Sequence, residues 1–499
     1  ARSLYPDYFP TDFDALDEAS QISALLATKT PETPLEFNES LVPDALELDT
    51  LESLRAIATI QQRNGETGCH RYIISNCRGA IDIAHVKALS HLVGWKAESH
   101  TVDIAPLFET IDDLAQAGPS MTSLYSFAEY RAHLARRSDR QTVMLGFSDG
   151  TKDGGYLMAN WAIYRAKEDL TAVSRAVGVE VAFFDGRGGP PARGGGSTYE
   201  FYAALGKNIE SNQIQLTVQG QTVSSYYGNS EAATHNLRQL LAAGLENNLY
   251  DRPERELNEA QRNLMQELAS ISYDRYKAFK THPLFIPYLE EMSTLKYYGR
   301  TNIGSRPTKR GGAEGLKFED LRAIPFVGAW AQLKQNVPGY YGLGTALREL
   351  EKAGRLDECK ALYQNSKFFK ALVDNSMQSM SKSNFELTAY MGRHPRFGEF
   401  WQQVHAEFEL SVEMALKISN QSILLEDNPT SRLSIALRQK LVLPLLVIQQ
   451  YALTRAQELE GVVAESASDE SEEARLHTLY EKMVMRSLFG NVNASRNSA

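Results

Sequence analysis

Five short runs of apolar and β-branched residues lie in the first half of the chain, and glycine or polar residues follow them. In chain order they are Arg71–Asn76, a run within Lys96–Phe108, Thr142–Phe147, Val179–Phe184 and Ile214–Val218. Buried strands have this length and composition, and segments with helical spacing separate the runs. Strands that alternate with helices favour βα units and a parallel sheet. We therefore predict an α/β fold for residues 1–223.

From about residue 224 onward the hydrophobic pattern changes, because apolar residues recur every three to four positions. This spacing, which is typical of amphipathic helices, is found in Glu231–Leu249, Leu257–Lys280, Phe369–Met391, Phe400–Ser419, Arg432–Glu460 and Ala474–Leu488. Residues 224–499 are therefore predicted to form a helical region with a basic loop at 300–325. The whole chain is predicted to be α/β with predominantly α content.

The number of strands limits the architecture of the first region. A closed (β/α)8 barrel needs eight parallel strands, whereas the pattern predicts five. A barrel therefore requires strands that this sequence does not contain, while an open doubly wound sheet does not. The hydrophobic pattern leaves both architectures open.

Charged residues gather where the predicted strands end, and that edge holds the chemistry of parallel α/β folds. Glu109 follows the second apolar run, and Asp149 follows the third within Ser148–Gly155, which we predict to be a polar loop. Two carboxylates from neighbouring strands, completed by water and substrate, suit Mg²⁺ or Mn²⁺. The alternative is that Asp149 caps the next helix and that Glu109 lies on a surface loop.

The segment after the fourth run, Gly186–Gly196, places Arg187 and Arg193 among glycines. Arginine binds phosphate or carboxylate through bidentate hydrogen bonds, and glycine lets a ligand approach the backbone and lets a loop move. Other candidate cations, in chain order, are Lys152, Arg306 and Arg322. The alternatives are a flexible surface linker at 186–196 and a solvated basic loop at 300–325. The residues alone indicate an anion site that could also hold a divalent metal.

The composition is ordinary for a globular protein, with 499 residues, 43% apolar residues and a net charge of −10. This negative charge argues against a general nucleic-acid-binding role. The three cysteines form no CxxC pair, which favours a reducing cytoplasm, and the longest apolar run, Leu441–Ile448, is too short to span a membrane. The amino terminus has no signal-peptide features and begins with Ala rather than Met. We therefore expect a cytoplasmic chain, processed or part of a longer protein, with no nucleic-acid or membrane partner.

Four segments together resemble phosphoenolpyruvate carboxylase. They are Pro106–Leu114 (PLFETIDDL), Gly146–Gly154 (GFSDGTKDG), the Gly186–Gly195 loop, and Ser305–Pro325, which begins SRP and ends LRAIP. Their order and spacing are similar to the carboxyl-terminal half of that family, and Gly342–Leu347 extends the likeness. The resemblance implies a lyase that carboxylates phosphoenolpyruvate with bicarbonate to give oxaloacetate and phosphate, an anaplerotic reaction. It also implies part of a (β/α)8 barrel, Mg²⁺ or Mn²⁺ as cofactor, inhibition by aspartate or malate, and a homo-oligomer, usually a tetramer.

The resemblance also assigns roles to residues that match the family's motifs. The metal ligands would be Glu109 and Asp149, and the substrate-binding residues Arg187, Arg306 and Arg322. The catalytic residues would be Arg187, Lys152 and Arg193. Lys152 lies in the same pocket motif, and Arg193 matches a mobile-loop arginine of the family. The inhibitor ligands would be Lys382, Arg438, Asn497 and again Arg193. Taken singly, Lys382 and Arg438 are also typical of solvated helix charges. Metal and phosphate loops thus fall in residues 1–223, and the substrate-arginine loop and inhibitor site in residues 224–499.

Three departures from the family pattern shape the prediction. Asp185 stands where the family's HGRGG motif has histidine, and Ala499 stands where the family ends in glycine. The TAHPT segment with the family's essential histidine does not occur in these residues. That segment belongs to the amino-terminal half, which would also supply the first three barrel strands.

We therefore predict the carboxyl-terminal half of the enzyme, inactive or weakly active alone, with the amino-terminal half as its missing partner. Two alternatives stay open. One is a non-catalytic regulatory or assembly fragment that binds dicarboxylates. The other is a different metal-dependent enzyme of phosphorylated acids on a complete α/β fold.

Overall fold

The computed structural model describes residues 4–34, 36–250, 256–300, 316–465 and 471–495. Its strands, in chain order, are β1 (Arg71–Ile74), β2 (Asp103–Phe108), β3 (Arg140–Gly146), β4 (Glu180–Gly186) and β5 (Ile214–Leu216). Each strand overlaps one of the five apolar runs, so the predicted strands are confirmed.

The five strands form one sheet in the order β1-β2-β3-β4-β5. β1 pairs in parallel with β2, where Arg71 lies opposite Asp103, and β2 pairs in parallel with β3, where Leu107 lies opposite Met144. At least one helix connects each strand to the next, as parallel neighbours require. Among the described residues, β1 and β5 are the two edges, so the sheet is open. The predicted α/β fold class is confirmed, and the described residues do not form a complete closed fold.

Helices account for the larger part of the described residues. As far as residue 250 they are α1 (Glu18–Leu26), α2 (Ala45–Asn64), α3 (Ala80–Leu92), α4 (Ile111–Tyr125), α5 (Ala128–Arg136), α6 (Phe147–Gly154), α7 (Tyr156–Ala176), α8 (Thr198–Ala203), α9 (Gln221–Tyr227) and α10 (Ser230–Leu249). They continue with α11 (Glu259–Lys280), α12 (Phe285–Met292), α13 (Leu295–Tyr298), α14 (Ala323–Gln332), α15 (Leu343–Lys352), α16 (Leu356–Asn365), α17 (Lys367–Ser381), α18 (Gly398–Ser419), α19 (Pro429–Glu465) and α20 (Glu472–Ser495). The helical character predicted after residue 224 is confirmed. No helix in the described ranges is both long and apolar enough to cross a lipid bilayer.

The prediction of a polar loop at 148–155 is wrong, because the segment is helical. α6 covers Phe147–Gly154 and buries Phe147, Ser148 and Thr151. Gly155 follows with φ of 74° and separates α6 from α7. Glycine adopts this left-handed conformation at little cost, so one residue provides the break between the two helices.

The continuous helix predicted for Phe369–Met391 is also wrong. α17 ends at Ser381, and residues 385–393 form a 3-10 helix. The backbone is extended at Asn384, with φ of −150° and ψ of 91°. This extended residue interrupts the helical hydrogen bonding although the apolar spacing continues through it.

The chain divides into two compact units. Unit 1 consists of Ala1–Gly146, Ala162–Asp185 and Asn208–Gln215, and unit 2 consists of Phe147–Trp161, Gly186–Lys207 and Leu216–Ala499. Unit 1 contains the sheet except for the last residues of β4 and β5. Consecutive residues of its central strand β3, from Gln141 to Val143, are all buried. Burial of consecutive residues is expected for a strand that is covered on both faces.

Unit 2 is organised around an aromatic core. The ring of Phe279 stacks on Tyr341 at 4.1 Å and on Phe400 at 5.3 Å, and Tyr288 stacks on Trp330 at 5.9 Å. Stacked pairs of this kind stabilise a core by about 0.5–1.5 kcal/mol each beyond their buried area. Phe279 also lies 5.9 Å from Trp330, so these aromatic contacts connect α11, α12, α14 and α18.

Candidate functional site

Glu109 is the first residue after β2, and only 5% of its surface is exposed. It packs closely against Gly146 at the end of the neighbouring strand β3. The approach is so close that a Cβ atom added at Gly146 would lie 3.2 Å from Glu109 Cα. Immediately after it, Thr110 Oγ1 accepts a hydrogen bond from Asp113 N at 3.1 Å, and the Asp113 carboxylate accepts one from Thr110 N at 3.0 Å. This capping box begins α4 and fixes the backbone next to Glu109. The surface-loop alternative for Glu109 is therefore wrong.

Asp149 lies in the first turn of α6 and is part-buried. Burial lowers the pKa of Arg193, and the negative charge of Asp149 opposes that shift. Among the described residues, no three His, Cys, Asp or Glu side chains form a group that could hold a metal. Mg²⁺ is nevertheless commonly bound through one or two carboxylates, with water and substrate phosphate as the remaining ligands. The carboxylates of Glu109 and Asp149 fit that chemistry, and metal binding by them stays a prediction.

Arg187 directly follows β4 and is 5% exposed. Its Nε donates a hydrogen bond to the carbonyl oxygen of Gly194, and its guanidinium carbon lies 4.2 Å from the centre of the Phe201 ring. Within the described part of the chain, its two terminal amino groups donate no hydrogen bond to the protein. One edge and one face of the guanidinium are therefore held, and the other edge remains available to an anion.

Arg193 lies in the short 3-10 helix Pro191–Arg193 and is 3% exposed. Its Nε donates to Ser148 Oγ at 3.1 Å, and a terminal amino group donates to Gln219 Oε1 at 2.8 Å. Burial lowers the pKa of Arg193 to about 10, although the charge of Asp149 opposes this shift. The side chain thus remains a cation at neutral pH. Because both arginines are buried, the surface-linker alternative for 186–196 is wrong.

Close packing explains the glycines of this loop. A Cβ atom added at Gly188 would lie 2.7 Å from Arg193 Cβ, and one added at Gly195 would lie 1.9 Å from the carbonyl oxygen of Gly189. Neither position can hold a side chain unless the backbone moves. The glycines therefore let the loop fold back on itself and bury its arginine.

Lys152 contacts the segment that leads to Arg322. Its ammonium donates to the carbonyl oxygens of Leu321 at 2.7 Å and Phe318 at 3.0 Å. Arg322 is the N-cap residue of α14 and is part-buried. The structure thus brings Lys152 to the backbone next to Arg322. Arg306, the third predicted substrate arginine, lies outside the described residues.

Lys382 and Arg438, two of the predicted inhibitor ligands, line one cavity of about 870 Å³ in unit 2. The backbone of Gly194–Gly196, from the arginine loop, lines the same cavity. Burial, followed by the positive charges of Lys334 and Arg438, lowers the pKa of Lys382 to about 8. Two cations at one cavity suit a ligand with two carboxylates. Asn497 lies outside the described residues.

Sequence reasoning missed two residues that hold the arginines, Ser148 and Gln219. Neither belongs to a motif that indicates chemistry. Gln219 does lie just past the end of β5, so the strand-end rule that found Arg187 could also have found it. Ser148 was recognised only as part of a polar segment, because its contact with Arg193 depends on the unpredicted helix α6.

Comparison with known proteins identifies the family. The model of the phosphoenolpyruvate carboxylase family matches residues 7–484. The phosphoenolpyruvate carboxylase of Nitrosomonas eutropha is 35% identical over 467 residues, which are 90% of this chain and 49% of the relative. Those of Corynebacterium diphtheriae and Mycobacterium leprae are 34% identical over 458 residues and 32% identical over 466 residues. Each of these two alignments covers 89% of this chain, and 50% and 49% of the relative, respectively.

The chain therefore spans about half the length of the curated relatives that it matches. The family match covers almost all of its residues and includes the arginine loop, both predicted metal ligands and two of the predicted inhibitor ligands, Lys382 and Arg438. On this ground the chain belongs to the phosphoenolpyruvate carboxylase family.

Proposed function

We propose that the chain is the carboxyl-terminal half of an enzyme that converts phosphoenolpyruvate and bicarbonate to oxaloacetate and phosphate. The observation that carries this proposal is the buried pair Arg187 and Arg193. Both guanidinium groups are held through Nε, and the free edge of Arg187 can bind phosphate or carboxylate in a bidentate manner. A buried site also strengthens each charge interaction, because little water competes for the same groups.

The proposed reaction needs positive charge that is in place before the bonds change. Bicarbonate attacks the phosphorus of phosphoenolpyruvate, which yields carboxyphosphate and the enolate of pyruvate. Carboxyphosphate releases CO₂ and phosphate, and the enolate carbon then attacks CO₂ to form oxaloacetate. Arg187, with Arg322 and Arg306, would hold the phosphate and carboxylate, and Arg193 would stabilise charge on the transferred group. Mg²⁺ or Mn²⁺, held by Glu109 and Asp149, would supply Lewis-acid stabilisation of negative charge.

The same proposal assigns the rest of the catalytic machinery to an amino-terminal half. Two observations support it: the sheet of the described residues is open with five strands, and the chain spans about half of its relatives. That half would supply the remaining strands and the essential histidine. The assembled enzyme would be a cytoplasmic homo-oligomer.

A turnover assay tests the proposal. The pure chain is mixed with phosphoenolpyruvate, bicarbonate and Mg²⁺, and oxaloacetate is followed by its reduction to malate. We expect little or no turnover from the chain alone and much higher turnover after addition of the amino-terminal half of the Nitrosomonas eutropha relative. Arg187→Met should then lower turnover at least about 100-fold, whereas Arg396→Met, at an exposed ion pair with Glu291, should not. Robust turnover by the pure chain would contradict the need for a second half, and none in the mixture would contradict the enzymatic proposal.

A second candidate function is a regulatory fragment that binds dicarboxylates without catalysis. The cavity lined by Lys382 and Arg438 favours it, since both residues belong to unit 2 and need no second chain. The first candidate includes the same inhibitor site, so aspartate binding is expected in both cases. The turnover assay separates the two functions.

Calorimetry with aspartate tests the cavity itself. Lys382→Ala should weaken aspartate binding about 10–100-fold, because a charge-assisted hydrogen bond contributes about 1.5–3 kcal/mol. Lys360→Ala, at an exposed pair with Asp357, is the matched control and should bind like the wild type. Affinity should also fall as pH rises above 8, since Lys382 then loses its proton. If aspartate gave no binding heat with the wild type, that result would contradict the proposed inhibitor site.

A further inference from the structure

The side chain of Gln219 connects the two arginines of the loop. Its Oε1 accepts the hydrogen bond from the terminal amino group of Arg193 at 2.8 Å. Its Nε2 donates to the main-chain carbonyl oxygen of Arg187 at 3.2 Å. In the part of the chain that the structure describes, no other side chain forms hydrogen bonds with both arginines. All three residues belong to unit 2.

The loop backbone also joins the two arginines, because Gly188 N, next to Arg187, donates a hydrogen bond to Arg193 O at 2.6 Å. Ser148 Oγ holds Nε of Arg193, whereas Gly194 O and the ring of Phe201 hold Arg187. Gly194 directly follows Arg193, so the Arg187 guanidinium is held at a fixed point of the loop backbone. The amide of Gln219 is the side-chain contact that ties the Arg193 guanidinium to the main chain of Arg187, so its length helps to determine the spacing of the two cations.

We propose that Gln219 is a positioning residue that sets the spacing between Arg187 and Arg193 for one shared anion. The inference rests on the proposed function, in which both arginines serve the same phosphorylated substrate. A primary amide suits the role because it presents one acceptor and one donor at opposite sides of a planar group. Glutamate keeps the acceptor but has no donor for Arg187 O, and methionine has neither. Misplacement of a binding group by about 1 Å can cost about 100-fold, so a small change in spacing should be measurable.

Two variants separate the two contacts. Gln219→Met removes both hydrogen bonds with little change in volume, and Gln219→Glu retains only the contact with Arg193. The matched control is Gln266→Met, because Gln266 also makes two side-chain hydrogen bonds in unit 2, to Trp161 at 2.8 Å and to Ser270 at 3.1 Å. If Gln219→Met acted only through a general loss of hydrogen bonds, Gln266→Met should change the reactivity of the arginines to the same extent.

The first readout needs no ligand. Phenylglyoxal modifies accessible guanidinium groups, and peptide mass spectrometry gives the modification rate of Arg193. We expect Gln219→Met to raise that rate about tenfold, the equivalent of about 1.4 kcal/mol of protection. Gln219→Glu and Gln266→Met should both keep the wild-type rate. Equal rates in Gln219→Met and the wild type would overturn the positioning role, whatever phosphate does.

The second readout uses inorganic phosphate as the probe. Phosphate should protect Arg187 and Arg193 from phenylglyoxal in the wild type and in Gln266→Met. Protection in Gln219→Met and Gln219→Glu should require at least about tenfold more phosphate, since either variant alters the spacing of the arginines. Wild-type phosphate affinity in both variants would overturn the inference and leave the proposed anion site standing. A lack of phosphate protection in the wild type would overturn the anion site and the shared-anion role together.

Discussion

Replacement of Lys167 by methionine is expected to lower the free energy of unfolding by about 3–5 kcal/mol. The Lys167 ammonium lies 2.8 Å from one carboxylate oxygen of Asp185 and 2.9 Å from the other. Both side chains are only 1% exposed. Without the lysine, the buried carboxylate of Asp185 would lose its ion pair with Lys167, and removal of one member of a buried ion pair is among the most costly single changes in a protein interior.

The double variant Lys167→Met/Asp185→Leu should recover most of that loss, because an apolar pair avoids the cost of removing two charges from water. Urea unfolding of the wild type, both single variants and the double variant measures the coupling directly. Lys360→Met is the control: its exposed ion pair with Asp357 should contribute less than about 1 kcal/mol. A loss below about 1 kcal/mol for Lys167→Met, or no recovery in the double variant, would contradict the assigned role of the pair.

This pair also illustrates what the sequence could not reveal. The departure from HGRGG at Asp185 is visible in the sequence, but its partner is an ordinary lysine 18 residues earlier on α7. A charge on a helix is usually solvated, so nothing in the local pattern marked Lys167 as buried. Only the packing of α7 on β4 brings the two charges together and removes water from both.

The strands were predictable because burial on both faces imposes continuous apolar runs of limited length. The helix α6 was not, because its sequence, FSDGTKDG, is rich in residues that favour turns. Burial of Phe147, Ser148 and Thr151 evidently outweighs that local preference. Tertiary contacts of this kind override propensity, and they are absent from any single-sequence window.

The candidate site likewise contains some residues that the sequence could predict and others that depend on tertiary contacts. Glu109 and Arg187 could be found because each directly follows a strand. The contact of Lys152 with the carbonyl oxygen of Leu321 spans 169 residues of sequence, and no spacing rule relates the two. Gln219 contacts both arginines through hydrogen bonds that depend on the fold of the loop, so its role could be inferred only from the structure.

The second large effect concerns acid stability, because unit 1 buries one lysine and three histidines together. The Lys87 ammonium nitrogen lies 3.3 Å from Nδ1 of His133, and the His100 ring centre lies 5.1 Å from that of His133 and 5.5 Å from that of His91. Each of these side chains is less than 5% exposed. Among their described neighbours, Arg136 adds further positive charge, whereas the carbonyl oxygen of Trp95 and the carboxylate of Glu98 favour the charged form of His91.

Burial, reinforced by the charge of Lys87, lowers the pKa of His91 to about 4 and of His133 to about 2, and lowers the pKa of His100 still further. Burial also lowers the pKa of Lys87 itself to about 7. Below pH 6.5 the histidines are protonated in the unfolded chain but remain neutral in the folded one. The unfolded chain then binds more protons, so stability must fall as the pH falls. Between pH 10.5 and about 7, Lys87 is likewise protonated in the unfolded chain but neutral in the folded one, so it also lowers stability as the pH falls.

Well below pH 6.5, each such histidine should lower the free energy of unfolding by about 1.4 kcal/mol per pH unit. The three together should lower it by about 4 kcal/mol per pH unit until the pH reaches the folded pKa of His91. We therefore expect the free energy of unfolding of unit 1 to fall by about 3 kcal/mol between pH 6.3 and 5.3, where the unfolded histidines are still partly neutral. Urea unfolding at a series of pH values, followed by the fluorescence of Trp95 beside His100, measures it. His133→Gln should reduce the slope by about one third, whereas His235→Gln, at an exposed position on α10, should not change it. A free energy that stays constant over this interval would show that the cluster takes up protons as readily when folded as when unfolded.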